Sequence, residues 1–587
     1  MKTRVNRLIA LLSLVILMFS AIPMLASCGS EEVLELNVYN AEEYISEKNV
    51  KWETEDIIEK FEEWASGKYG KKVKVNYSTF GTLENMYNEL QLTKKRGSDG
   101  KYVYAYDLVC PSDYMIQRMI REDMLETYDV TEENGSVVYD AVDNYNDYAS
   151  DFIKNLFNSK EEENIVSGEK LSWANYAVCY MWGTMGFVYN PKKLVETNSA
   201  IDKNSILDED GELAVFGAEL EEALDGIVNT WELPWIAYYK NLGTIKNSIR
   251  DTYALAVGYV YRDELFKFRK LWEDGTFTGD EYQSALISIF NNVNTKFSDE
   301  FKKLGLSDEK QAILNGLFKS DGKNTVDKVS EELKLLKHNV YGFEVDSGKK
   351  DMAAGKIAIN FAWSGDAAFT LDTADEEEGA ELYYSVPREG SNIWFDAWVM
   401  PKGANKELAQ DFVNYISRPE CAIWNMDFIG YVSPIAGDEV FERMLDTYEL
   451  TVDPAEAAEN ELTYEIDYSY YFGNISDEYK TEDGRVIVYS SQDNIGRQLT
   501  TQYPEKSTVD RCALMTALSR TELTAMNEMW SDVKVGDISE GFLIAVPIIL
   551  GLALIWYIIH AILKKHGIKF VRKPRNYGKL IKSERIR

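Results

Sequence analysis

An aspartate interrupts the apolar run Ile393-Trp394-Phe395-Asp396-Ala397-Trp398. A carboxylate folded into such a run is costly unless it meets a cation or a set of donors. Alternation along a strand puts Trp394 and Asp396 on one face, so a ring and a negative charge could act on the same ligand; a structural acid bonded to backbone is the alternative. Other chemistry is poorly supplied. The chain has 3 histidines; His560 and His566 lie in or beside an apolar run near the C-terminus, which leaves His338 for the body. That argues against a histidine-based catalytic triad and against a multi-histidine zinc site. No Walker A sequence, nucleophile elbow or paired CxxC occurs. The nearest calcium-loop lookalike, Asp208, Asp210 and Gly211, has Ile206 where the first ligand belongs and Gly217 where the closing glutamate belongs, and reads as a surface turn. Cys110, Cys179, Cys421 and Cys512 are flanked by apolar residues and read as small core residues. The expectation is a binding protein rather than an enzyme, with no cofactor and no metal.

Charge narrows the partner. The formal net charge is −34, unevenly spread, because residues 564–587 carry 10 Lys and Arg against the single acid Glu584. Setting aside that tail and Lys2, Arg4 and Arg7 leaves about −46 on the body. So acidic a body repels nucleic-acid phosphates and favours small cationic partners, although many of its acids simply solvate the surface.

Both ends carry membrane signals. Lys2, Arg4 and Arg7 precede an apolar stretch over 8–22 and then Leu25-Ala26-Ser27-Cys28-Gly29. This reads as a signal peptide over 1–27, and its Leu-Ala-Ser-Cys ending resembles a bacterial lipobox, with Cys28 as the lipidated residue. Residues 542–563 hold no Lys, Arg, Asp or Glu, enough apolar chain to cross ~30 Å as a transmembrane helix. The positive-inside tendency then places a cytoplasmic tail at 564–587 and the body outside the cell membrane.

The elements that must position Asp396 are legible as a pattern. Leu34-Glu35-Leu36-Asn37-Val38-Tyr39 alternates as a strand, a helix is expected over 54–65, and Val73-Lys74-Val75-Asn76-Tyr77 reads as a second strand, giving a parallel βαβ unit. A helix over 83–92 leads to the buried strand Tyr106-Asp107-Leu108-Val109-Cys110-Pro111. Ligands in open α/β sheets sit beyond the carboxyl ends of such strands, which places Asn40 to Tyr44 and Ser112 to Tyr114 at one cleft. Further strands are expected at 180–189, 356–363 and 394–400, a charged helical insertion at about 264–330, and either a lid or an ordered surface loop at 446–483.

Eight segments, in order, resemble the spermidine/putrescine-binding proteins of ABC importers: Tyr39-Asn40-Ala41-Glu42-Glu43-Tyr44, Tyr77-Ser78-Thr79-Phe80, Tyr106-Asp107-Leu108-Val109-Cys110-Pro111-Ser112-Asp113-Tyr114, Trp182-Gly183-Thr184, Ser248-Ile249-Arg250-Asp251, Ala362-Trp363-Ser364-Gly365-Asp366-Ala367, Trp394-Phe395-Asp396 and Gly430-Tyr431-Val432-Ser433-Pro434. The resemblance implies an α/β, two-lobed periplasmic-binding-protein fold of type II, the Venus-flytrap kind, with helical insertions and the C-terminal transmembrane helix. Lobe 1 would begin at 28–185, lobe 2 would span 186–397, and 398–538 would return to lobe 1. It implies an aromatic wall of Tyr44, Tyr114, Trp363, Trp394 and Tyr431, ammonium partners Asp251 and Asp396, and Ser112 as a polar contact. It also implies a polyamine ligand and a separate permease and ATPase.

The chain departs from that pattern. Ala41 stands where the family has a wall tryptophan, Ser248 where it has a first acid, and Met515 near an expected glutamine. Glu42, Asp113 and Asp366 could serve as replacement amine partners. Another small cationic or amino compound, or a tethered sensor or surface protein using the same fold, are the alternatives; a carboxylate-based glycosidase would need an acid pair that the sequence does not pick out.

Overall fold

Strand β1 (Leu34–Ala41) buries Leu36 and Val38 from its alternating pattern and pairs in parallel with β2 (Val73–Phe80), Leu34 opposite Val73 and Ala41 opposite Phe80. Between them runs α1 (Ile57–Tyr69), started by Asp56, whose carboxylate accepts from the Glu59 amide at 2.9 Å. Its Ile57, Phe61 and Ala65 recur every fourth residue and are fully buried. The computed structural model describes residues 33–535, apart from 99, 101, 132–136, 139–140, 225, 346 and 378.

Strand β3 (Leu108–Val109) lies parallel to β1 on its other side. Asp107, just before it, is a structural acid: its Oδ2 accepts from the Asn37 amide at 2.7 Å and its Oδ1 from the Asn405 amide at 2.7 Å. After the short strand β4 (Leu125–Glu126) comes β5 (Ala177–Tyr189), buried at all 13 positions, as expected of a strand covered on both faces. A second parallel set comprises β6 (Gly243–Lys246), β7 (Gly342–Glu344) and β8 (Ile359–Trp363), with β6 in the middle. Strands β9 (Tyr383–Ser385), β10 (Ser391–Pro401) and β11 (Cys512–Leu514) complete an 11-stranded sheet whose main order is β7-β6-β8-β5-β10-β3-β1-β2.

Two parallel α/β lobes are thus joined by long antiparallel strands. The first part of β5 pairs with β10, from Ala177 opposite Val399 to Thr184 opposite Ile393. Its last part, from Met185 opposite Trp363 to Tyr189 opposite Ile359, pairs with β8. Strand β10 in turn reaches β3 at Val399.

The insertion is helical as expected, with Arg262–Glu273, Gly279–Phe290, Phe297–Phe301, Asp308–Leu317 and Thr325–Leu336. It has its own aromatic cluster around Phe268, Tyr282, Phe301 and Phe318. The segment 446–483 is ordered and packed: Tyr468, Tyr471 and Phe472 are buried, and Tyr471 lies 5.5 Å from Trp182. Asp208 to Gly211 is a turn, Asp208 Oδ1 accepting from the amides of Asp210 and Glu212 at 2.9 Å. The four body cysteines are buried and free.

One element of the expected fold is corrected. Spanning a bilayer takes about 20 apolar residues in one helix, and no helix among the described residues is long and apolar enough; Arg520–Val535, at 16 residues, is the longest of them. The expected transmembrane helix at 542–563, the tail at 564–587, the signal peptide and Cys28 lie outside the described residues. The chain divides into a unit of residues 1–529 and one of 530–587, of which only 530–535, the end of that last helix, is described.

Candidate functional site

Trp394 and Asp396 share a face of β10, opposite Gly183 and Met181 of β5, where the register shifts between Cys179 and Met181. Gly183 makes room for the indole, since a Cβ there would lie 2.8 Å from the Trp394 ring and 2.2 Å from Ser364 Oγ. Trp394 Nε1 donates to the Thr184 carbonyl at 3.4 Å. The Asp396 Oδ2 accepts from the Tyr44 hydroxyl at 2.7 Å, whereas its Oδ1 is shielded from solvent and meets no donor in good hydrogen-bond geometry, the Ser112 side chain being the other polar group that acts on this carboxyl. Burial pushes the Asp396 carboxyl up to about 6; the Ser112 and Tyr44 side chains hold it down, and the negative charge of Asp251 adds to the rise.

Ser112 arrives at Asp396 through the end of β3. The chain turns at Pro111 and starts α2 (Asp113–Arg121) with Ser112 at the cap position, but its side chain makes no capping bond; Ser112 instead forms an antiparallel bridge with Asp396. Asp113 is 1% exposed. Its Oδ1 accepts from the Tyr114 amide at 2.5 Å and its Oδ2 meets no donor in good hydrogen-bond geometry, although the Phe395 amide also acts on this carboxyl. Burial, with the charge of Asp396 behind it, pushes this carboxyl well above the usual range. Tyr114 donates to Glu84 Oε1 at 3.4 Å, and the Arg250 guanidinium lies 4.9 Å from its ring centroid.

Arg250 and Asp251 open α3 (Ile249–Val260), whose cap Ser248 accepts from the Asp251 amide at 3.5 Å. Where the resemblance implied a first acid, Ser248 therefore acts as a helix cap. Arg250 is anchored by Asn291 Oδ1 at 3.0 Å and the Thr516 carbonyl at 2.8 Å. Asp251 is buried and its carboxyl is raised, burial outweighing the opposing pull of the Ser248 side chain, Lys246 and Arg250.

The remaining residues form an adjoining corner at the start of α4 (Ser364–Glu376). Asp366 accepts at Oδ1 from the Tyr431 hydroxyl at 2.9 Å and at Oδ2 from Lys246 Nζ at 2.8 Å. Burial opposes ionisation of Asp366, but Lys246 and Lys349 outweigh it and hold the carboxyl below its ordinary value. The Lys246 ammonium also lies 4.3 Å from the Trp363 ring centroid. Gly365 lets Tyr431 approach, because a Cβ there would sit 2.1 Å from its ring. Tyr431 links the corners: its ring meets Tyr44 at 5.3 Å and Trp394 at 5.4 Å, both edge to face.

Tyr44, Ser112, Trp394, Asp396 and Tyr431 are brought together, Asp113 and Asp251 stand near enough to act on Asp396 or feel its neighbours' charges, and Trp363 and Asp366 join through Lys246. Glu42 is exposed in the turn after β1. Lys246, Arg250 and Glu84 escaped the sequence reading. Lys246 closes a short strand, Gly243–Lys246, that is buried throughout in the structure but carries no apolar run in the sequence to mark it.

The arrangement offers an ammonium two carboxyl oxygens that meet no donor, on residues adjoining Tyr44, Tyr114 and Trp394. A family model described as Bacterial extracellular solute-binding protein matches residues 56–438. The Spermidine/putrescine-binding periplasmic protein of Salmonella typhimurium is 24% identical over 363 residues, 62% of this chain and 70% of that one. Its counterpart from Escherichia coli is 23% identical over the same shares. A solved structure of a spermidine/putrescine ABC transporter substrate-binding protein from Streptococcus pneumoniae superposes with a TM-score of 0.44 at 18% identity, covering 86% of this chain and 99% of that one.

Proposed function

The chain belongs to the bacterial extracellular solute-binding proteins, and from that premise we propose that it captures an alkyl amine of the polyamine class outside the cytoplasm and passes it to the permease of an ABC importer driven by a separate ATPase. The observation that carries the ligand is the buried pair of carboxyl oxygens without donors, Asp396 Oδ1 and Asp113 Oδ2. A buried acceptor left unmet is costly, and an ammonium supplies donors and the compensating charge at once. Tyr44, Trp394 and Tyr431 would pack along the methylene chain, and Tyr114 would close the far side. A ring face over an ammonium contributes roughly 0.5 to 2 kcal/mol and a charged hydrogen bond roughly 1.5 to 3 kcal/mol.

Calorimetric titration of the full-length protein with putrescine, spermidine and N-acetylputrescine tests the reading. We expect micromolar or tighter binding of at least one amine, weakened about tenfold to a hundredfold in Asp396→Ala. No heat from any of them would overturn the amine assignment.

A further inference from the structure

Trp363 is one of the residues expected to wall the ligand, yet its ring face is covered by the chain's own ammonium, that of Lys246 at 4.3 Å. The same ammonium donates to Asp366 Oδ2 at 2.8 Å and to the Val345 carbonyl at 3.0 Å, and lies 3.8 Å from Glu344 Oε1. Ring face, carboxylate and carbonyl are the surroundings that the end of a diamine would need, and a lysine side chain is itself an alkyl ammonium.

We propose that Lys246 is a tethered stand-in for one ligand ammonium, so that the site selects an alkyl amine with a single ammonium whose far end is not cationic. The inference rests on the amine reading above. Three observations support it. At the Lys246 end both oxygens of Asp366 are engaged, Oδ2 by Lys246 and Oδ1 by Tyr431 and Lys349, while Asp396 and Asp113 each keep an oxygen without a hydrogen-bond donor in place. Lys246 acts on Asp251, and Asp251 in turn on Asp396, so the lysine and the two acids are linked electrostatically through Asp251. Finally, Tyr431 joins the two corners by touching Tyr44 and Trp394 while bonding Asp366, so an alkyl body leaving Asp396 along these rings arrives at Lys246. A second ammonium arriving there would meet like charge in a desolvated place.

Putrescine and N-acetylputrescine share a four-carbon body and differ by one ammonium, so calorimetry of both against the full-length protein isolates the effect. We expect N-acetylputrescine to bind at least about tenfold more tightly. In Lys246→Met, which lacks the charge and ends one atom short of the ammonium position, the order should reverse as the second ammonium enters the Trp363 and Asp366 corner; Lys246→Gln repeats the comparison should the Met variant unfold. Putrescine binding as well as or better than its acetyl derivative to the unaltered protein, with loss in Asp396→Ala, overturns the tethered ammonium and leaves the amine reading standing. An order unchanged in a folded Lys246 variant overturns the role of the lysine. Failure of both amines to bind overturns the amine reading, and this one with it.

Discussion

Asp396 holds its proton more tightly in the folded protein than in the unfolded chain, about 6 against 3.8. Ionising it therefore opposes folding: the cost is absent below 3.8 and fully present once the pH has passed about 6. Tyr44, Ser112, Asp113 and Asp251 are the polar groups that act on it or adjoin it. An ammonium ligand reverses the preference, so amine affinity should rise as the pH climbs from about 5 to about 7 and flatten in Asp396→Asn. Titration at several pH values checks this; affinity independent of pH would mean that the ammonium is held elsewhere. Asp396 was legible in the sequence because a lone acid in an apolar run is an anomaly in one dimension. Lys246 was not read, because its meaning depends on Trp363 and Asp366, which are distant in sequence and meet it only when β6 and β8 lie side by side.

At the scale of elements, the strands read from alternation stand where expected, and the differences have local causes. The helix expected over 54–65 starts at Ile57, because Asp56 takes the cap, and runs on to Tyr69 before Gly70 stops it in the left-handed region at φ 62°. The stretch 446–483 showed no period because it is built from short pieces, Pro454–Glu459, Tyr464–Asp467 and Ser469–Phe472, each too brief to repeat. The start of α4 is the element most exposed to a single change. Gly365→Ala would drive a methyl into Tyr431, and moving that ring threatens its bond to Asp366 and its contacts with Tyr44 and Trp394. We expect a loss of about 1 to 3 kcal/mol in thermal unfolding together with weaker amine binding. A variant as stable and as tight as the original would show that Tyr431 is not held by this contact.

The whole molecule adds a long-range field. With a net charge of −34, the acidic surface should draw cations toward the cleft, so the association rate of an amine should fall several-fold between about 0.05 M and 0.5 M salt. Dissociation from the shielded Asp396 should change far less. Stopped-flow mixing separates the two, and a salt effect confined to dissociation would count against steering. The two-lobe arrangement itself was accessible only through the order of motifs, since no local pattern announces that β5 divides its pairing between β10 and β8.

That divided strand also sets an order of events for the chain as it folds. Residues 177–189 form an apolar run without a single charge, and their strand partners arrive only with Ile359–Trp363, Tyr383–Ser385 and Ser391–Pro401. Until then both edges of the run are open to any other strand, including the same run in another molecule. Closing so long a loop is slow compared with forming the neighbouring helices. A chain interrupted before residue 391 would keep a sticky edge that the finished protein never shows, so residues 359–401 act on residues 177–189 as a chaperone in cis.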